Sequence, residues 1–167
     1  MKEEIEIYFN VIQFVNKEVG ILDDHDFHHW LELLTDDVHY VMARRLNKEG
    51  DFPLFDVKSP LMEENYLSLT ARVEKLYSKY SWSEIPPSRY RHYVTNVRVG
   101  ESKNDVEISI RSNVIFMRNR LESADYEIFT YERRDILRKT GEDLKLCNRL
   151  IIPDQPVLSL STISNFY

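Results

Sequence analysis

The chain has 167 residues, 43% of them hydrophobic, with 10 Tyr and 8 Phe but only 4 Gly and 6 Pro, enough for one core without disulfide or metal support and unlike a disordered composition. Acidic residues outnumber basic ones 28 to 22 for a formal charge of −6; the two signs interleave, so no basic face for a phosphate backbone emerges and nucleic acid is not an expected partner. The opening MKEEIEIYFNVIQF lacks the basic start and apolar run of a secretory leader, nothing approaches the ~18 apolar residues of a membrane span, and the lone Cys147 cannot close an internal disulfide, so one cytoplasmic domain over residues 1–167 with no membrane contact is expected.

Ile5, Tyr8, Phe9, Ile12, Val15, Asn16 and Val19 recur at three- and four-residue spacing, which predicts a helix over about 4–20 with Gly20 as its stop. Asp23 or Asp24 can cap a second helix whose buried side carries Phe27, Trp30, Leu31 and Leu34 and which ends near Thr35. The segment DVHYVMARR alternates as a strand, with Val38, Tyr40 and Met42 on one face. After the polar connection LNKEGDFPLFDVKSP, a helix is predicted from about 61 to 79 on Met62, Tyr66, Leu69, Val73, Leu76 and Tyr80, and Pro86-Pro87 forbids its continuation. Residues 89–99, 105–118, 126–138 and 144–153 then read as four strands joined by short polar turns. Three helices placed before a long, curved antiparallel sheet, covering one of its faces, make the expected fold α+β.

Few residues point to chemistry. His25, His28 and Glu32 share a helical face at metal-ligand spacing, although a solvated, capped helix start explains the same pattern. No paired cysteines and histidines suit a Rieske cluster, and no phosphate-binding glycine loop or nucleophile elbow occurs, so cofactor and metal ligands are expected to be absent from this chain. In PPSRYRHYVTNVRV, Tyr90, His92, Val94, Asn96 and Arg98 share one strand face. Two readings stay open there: acid/base work by His92 with Tyr40 and Asp36 in a pocket, or His92 and Asn96 as satisfied polar groups. Arg89, Arg91, Arg98, Arg111, Arg133, Arg134, Arg138 and Arg149, lying among Glu132, Asp135 and Asp154, suit carboxylate pairing within the sheet or across a subunit boundary, or a solvated face.

The run ARVEKLYSKYSWSEIPPSRYRHYVTNVRV, residues 71–99, resembles the signature of the β (small) subunits of aromatic-ring-hydroxylating dioxygenases. The segments at 131–167, with Arg133, Asp135, Arg138, Arg149, Asp154 and Gln155, and at 14–45 are similar to further parts of that family in collinear order; the 46–62 connection and His25, His28 and His29 are not part of its pattern. The resemblance implies a cystatin-like, nuclear transport factor 2-like or SnoaL-like cone. It also implies a small, non-catalytic subunit acting in aromatic catabolism as a homotrimer beneath three large (α) subunits, which carry the Rieske 2Fe-2S cluster and mononuclear Fe(II). On that reading Arg89, Arg91, His92, Asn96, Arg133, Asp135, Arg149 and Asp154 form structural or interface networks. The competing expectation is a free-standing cone-fold lyase, isomerase or ligand-binding protein using His92 with Tyr40 and Asp36, which requires an open polar pocket.

Overall fold

The computed structural model describes residues 2–46, 54–79, 86–100, 104–160 and 162–167. Helix α1 runs from Lys2 to Asp23 and buries Val11, Phe14, Val15, Glu18 and Leu22. This stripe is rotated from the predicted one. Ile5, Tyr8 and Phe9 are exposed, and the face that meets the sheet is the one on which Val11, Phe14, Val15 and Leu22 flank a glutamate. Helix α2 spans Phe27–Glu32, ending before the predicted Thr35, and Asp26 stands at its N-cap in place of Asp23 or Asp24. The Asp26 carboxylate makes no cap bond and accepts instead from His29 Nδ1 at 2.6 Å.

Strand β1, Leu34–Met42, buries Val38, Tyr40 and Met42, as alternation requires. A two-stranded ribbon, β2 (Arg44–Arg45) with β3 (Phe55–Asp56), interrupts the connection. The predicted start of the third helix is a strand, β4 (Met62–Asn65), paired with β1. Helix α3 then covers Tyr66–Tyr77, opened by a reciprocal capping box in which Asn65 Oδ1 accepts from the Ser68 amide at 3.0 Å and Ser68 Oγ accepts from the Asn65 amide at 2.9 Å. Tyr80, which the sequence reading placed on this helix, lies outside the described residues.

The long strands are β5 (Arg89–Val99), β6 (Glu107–Asn119), β7 (Glu127–Thr140) and β8 (Asp143–Pro153). They pair consecutively and antiparallel, and the six-stranded order is β4-β1-β8-β7-β6-β5. The sheet is nevertheless mixed rather than purely antiparallel, because β1 runs parallel to β8. Short turns dictate direction only between neighbours in sequence; β1 reaches β8 after the whole chain has been traversed, so no turn constrains it. Strand β5 also departs from its predicted faces. Asn96 takes φ of +51°, the register shifts between Thr95 and Arg98, and beyond this bulge Val97 and Val99 pack on the core while Asn96 and Arg98 are exposed. Among the described residues no helix is long and apolar enough to cross a membrane.

Candidate functional site

The inner face of the sheet is built from alternate residues of adjacent strands. Register sets Tyr40 beside Arg149, Arg149 beside Asp135, Ser112 beside Arg133, Val114 beside Tyr131, and Phe116 between His92 and Phe129. Helices α1 and α2 close over these positions and add Glu18 and Trp30.

At the centre lie four charged side chains with essentially no solvent exposure: Glu18, Arg133, Asp135 and Arg149. The Arg149 guanidinium makes two bidentate contacts, to Glu18 (Nη1 to Oε1 2.7 Å, Nη2 to Oε2 2.9 Å) and to Asp135 (Nε to Oδ1 2.9 Å, Nη2 to Oδ2 2.8 Å), the planar geometry that arginine alone provides. Trp30 Nε1 donates to Glu18 Oε1 at 3.3 Å. Arg133 lies within ion-pair distance of Glu18 (3.3 Å) and Asp135 (3.1 Å), yet none of its N–H groups points at an acceptor among the described residues. It therefore balances charge more than it bonds. Burial works to raise the Glu18 pKa, but Arg149 and Arg133 outweigh it and hold the carboxyl at about 2. Burial likewise opposes the Arg149 charge, and Asp135 and Glu18 overcome it, holding that group well above its ordinary value.

The chain's last described segment fills the remaining space. Phe166 packs on Trp30 and Phe27 with ring centroids 4.3 and 5.4 Å away, and Tyr167 stands edge-on to Phe116, Phe129 and Tyr131 at 5.2, 5.5 and 6.1 Å. Its backbone is held as firmly. The Tyr40 hydroxyl donates to the Tyr167 backbone oxygen at 2.6 Å and accepts from the Tyr167 amide at 2.7 Å, while Arg149 Nη1 donates to the same oxygen at 3.1 Å. The His92 ring, 7% exposed in its residue total, sets Nε2 3.0 Å from Phe166 O and Nδ1 2.7 Å from Asp23 Oδ1. Arg72 Nη2 donates to Ile163 O at 2.8 Å, and Arg118 Nη1 to Thr162 O at 3.3 Å. Burial raises the pKa of both Tyr40 and Tyr131.

Of the residues singled out from sequence, Tyr40, His92, Arg133, Asp135 and Arg149 meet in this interior and the others do not. Asp36 is exposed on β1, and the carboxylate at His92 belongs to Asp23. Arg89 binds Asn119 Oδ1 (2.5 Å) and Leu121 O (2.7 Å) at the sheet edge, Arg91 is exposed with Nη1 4.0 Å from Asp23, and Asp154 is exposed, its amide bonded to Thr130 O. Of the three metal candidates, Glu32 is exposed at the end of α2 and the two histidines turn to different partners. His25, at φ +62°, turns its Nε2 to Ser88 O, and His28 stacks on Tyr77 and faces Glu74; among the described residues no three His, Cys, Asp or Glu are grouped to hold an ion. Sequence reading missed Glu18, Asp23 and the final aromatic pair as site members. Glu18 did leave a signal: it falls at the i+3 and i+4 positions from Val15 and Phe14 and four before Leu22, a charge inside an apolar stripe.

A family profile described as ring hydroxylating beta subunit matches residues 17–160. The biphenyl 2,3-dioxygenase subunit beta of Rhodococcus jostii is 33% identical over 168 residues, covering 93% of this chain and 86% of that protein. The benzene 1,2-dioxygenase subunit beta of Pseudomonas putida is 34% identical over 175 residues, covering 97% and 89%. A solved structure of naphthalene 1,2-dioxygenase with indole in its active site contains a chain that superposes with a TM-score of 0.81 at 24% identity, over 93% of this chain and 83% of that one, which gives the same cone fold.

Proposed function

Because the chain belongs to the ring-hydroxylating β-subunit family, we propose that it is the small structural subunit of an aromatic-ring-hydroxylating dioxygenase and supplies no catalytic centre. The observation that carries this reading is the filled cone: Tyr40, His92 and Arg149, the groups best suited to acid/base or anion chemistry, spend their polar atoms on Phe166, Tyr167 and buried carboxylates. A lyase using His92 with Tyr40 and Asp36 would need those groups around an open pocket, whereas Asp36 faces solvent and aromatic rings occupy the interior.

On this proposal the Rieske cluster and mononuclear iron reside in a separate large subunit. Among the described residues no side chains are grouped to hold either centre. Cys147 has no second cysteine, its thiol lies 3.3 Å from Ile136 O, and burial pushes its pKa up to about 11; His28, His29 and His39 each face a different surface carboxylate. Assembly, as a trimer of small subunits joined to three large ones in the cytoplasm, uses the outer sheet face. There Tyr93 pairs with Ile115, Met117 pairs with Ile128, and Tyr93, Ile115 and Ile128 stand between 43 and 51% exposed, a contiguous apolar patch of the sort that marks association. Below it Arg98, Arg111 and Arg134 lie in register across three strands; Arg134 is paired with Glu132 at 2.5 Å, and Arg98 beside Arg111 is a pair of like charges that an acidic partner surface would relieve. Co-expression with the large subunit of an aromatic-ring-hydroxylating dioxygenase tests the proposal: a stable complex that loses assembly or activity when this chain is omitted is expected. Full activity and assembly of the large subunit alone would overturn it.

A further inference from the structure

The groups that hold Phe166 and Tyr167 form a set of complementary contacts of the kind a protein makes to a small ligand: aromatic walls for two rings, a hydroxyl that both donates and accepts, a guanidinium on a backbone oxygen, and a histidine on another. More donors are present than the segment uses. The three N–H-bearing nitrogens of Arg133 and the hydroxyls of Ser112 and Tyr131 are buried and have no hydrogen-bond partner among the described residues. Ser112 is the cross-strand neighbour of Arg133, and Tyr131 is two residues along the same inward face of β7, its ring 6.1 Å from that of Tyr167. The charges of Glu18 and Asp135, 3.3 and 3.1 Å away, account for Arg133, but a core that needed only apolar packing would not retain the two unbonded hydroxyls of Ser112 and Tyr131 beside it.

We propose that the interior of the cone is an intact binding site for a phenyl or phenol ring joined through one or two carbons to a carboxylate or amide, and that Phe166 and Tyr167 occupy it in cis. The ring takes the place of the Tyr167 side chain among Phe116, Phe129 and Tyr131. Its carboxylate or amide oxygen takes the place of the Tyr167 backbone oxygen between Tyr40 and Arg149. The site is closed to such compounds while the segment is seated and opens when the segment withdraws. This reading stands apart from the assembly role, since a chain that binds no aromatic acid could still join a large subunit.

The full chain carrying F166G/Y167G keeps its backbone length but loses both anchoring rings, and N-acetyl-tyrosine, which reproduces ring, amide and carboxylate, is the probe. Saturable binding by calorimetry and a rise in melting temperature are expected for this variant and not for the wild type. The ring alone, as p-cresol, should bind at least tenfold more weakly. Adding Tyr40→Phe, which removes only the hydroxyl, should erase most of that tenfold preference. Equal affinity for p-cresol and N-acetyl-tyrosine would overturn the proposal by reducing the site to an apolar cavity, as would a variant that is folded by circular dichroism and binds neither. If F166G/Y167G does not fold unaided, its refolding by N-acetyl-tyrosine supports the site. The milder Y167G, which retains Phe166 on Trp30, is read by the same comparison with the same two outcomes.

Discussion

Replacing Glu18 by Gln tests how the buried charges are balanced. The wild-type interior holds two carboxylates against two guanidinium groups, all without solvent exposure. The glutamine keeps the shape, but it leaves Arg133 and Arg149 facing Asp135 alone, an uncompensated positive charge. The carboxyl pKa falls from 4.5 to about 2 because the two arginines outweigh the burial that would raise it, and at 1.36 kcal/mol per unit this corresponds to roughly 3 kcal/mol of favourable interaction. That agrees with the 3–5 kcal/mol order of magnitude for stripping one partner from a buried pair. Urea denaturation of the isolated chain at pH 7, followed by circular dichroism, should therefore show E18Q less stable by about 3 kcal/mol. Adding Arg133→Met removes the excess cation and spares the bidentate Asp135–Arg149 pair, so E18Q/R133M should lose less than the sum of the single changes by at least about 1 kcal/mol. The acid limb supplies a second reading. Because the folded pKa is depressed, the unfolded chain binds more protons between about 2 and 4.5; the contribution of Glu18 is complete above that window and is lost as pH falls through it. In E18Q this part of the acid limb should be absent. A cost for E18Q under about 1 kcal/mol, or strict additivity with R133M, would refute the claim that Arg133 acts through charge balance.

Asp23→Asn should cost about 1–3 kcal/mol in the same assay, since the buried His92 Nδ1 and its backbone amide lose a charged acceptor at 2.7 and 3.2 Å; a neutral result would mean that Asp23 does not seat the ring. Cys147, buried with its thiol pushed up to about 11, should resist alkylation by iodoacetamide at pH 8 in the folded chain and react in 6 M urea, read by mass spectrometry. Ile115→Glu, at an outward position 43% exposed, should change stability by less than about 0.5 kcal/mol yet shift the complex to smaller species in size-exclusion chromatography. Unchanged assembly would remove the outer sheet face as a subunit contact.

The long strands were legible because alternation and short polar turns are local signals, and Gly141 at φ +68° between β7 and β8 shows such a turn at work. Asn96 was not. This bulge puts Asn96 in the left-handed region, which asparagine tolerates, but the letters around it alternate just as well without one. The parallel pairing of β1 with β8 is invisible for a different reason: it joins positions more than a hundred residues apart, such as Tyr40 and Arg149, whose complementarity is a matter of three-dimensional placement. Helix α1 carries apolar residues on two overlapping stripes, and the buried Glu18, whose partners come from α2, β7 and β8, lies on the one that packs. Arg133, Asp135 and Arg149 stood out through charge within apolar strands. The Glu18 carboxylate on α1 that faces both arginines, and the aromatic pair above them, did not.

These features share a cause in how one guanidinium is used. Arg149 Nη1 donates to Glu18 Oε1 and to the Tyr167 backbone oxygen, while its other nitrogens hold Asp135. A single side chain on β8 thus ties the first helix, the neighbouring strand and the final segment of the chain. A buried ion network of this kind is a poor source of net stability, because desolvation takes back most of the Coulomb gain. Its effect is on arrangement: only one seating of α1 and one seating of residues 162–167 bring both acceptors to the same fork, and any slip strands a buried charge. On the proposed role, a subunit that presents a fixed outer surface to its partners gains from that constraint more than from additional stability. The same constraint keeps an otherwise well-formed binding interior shut.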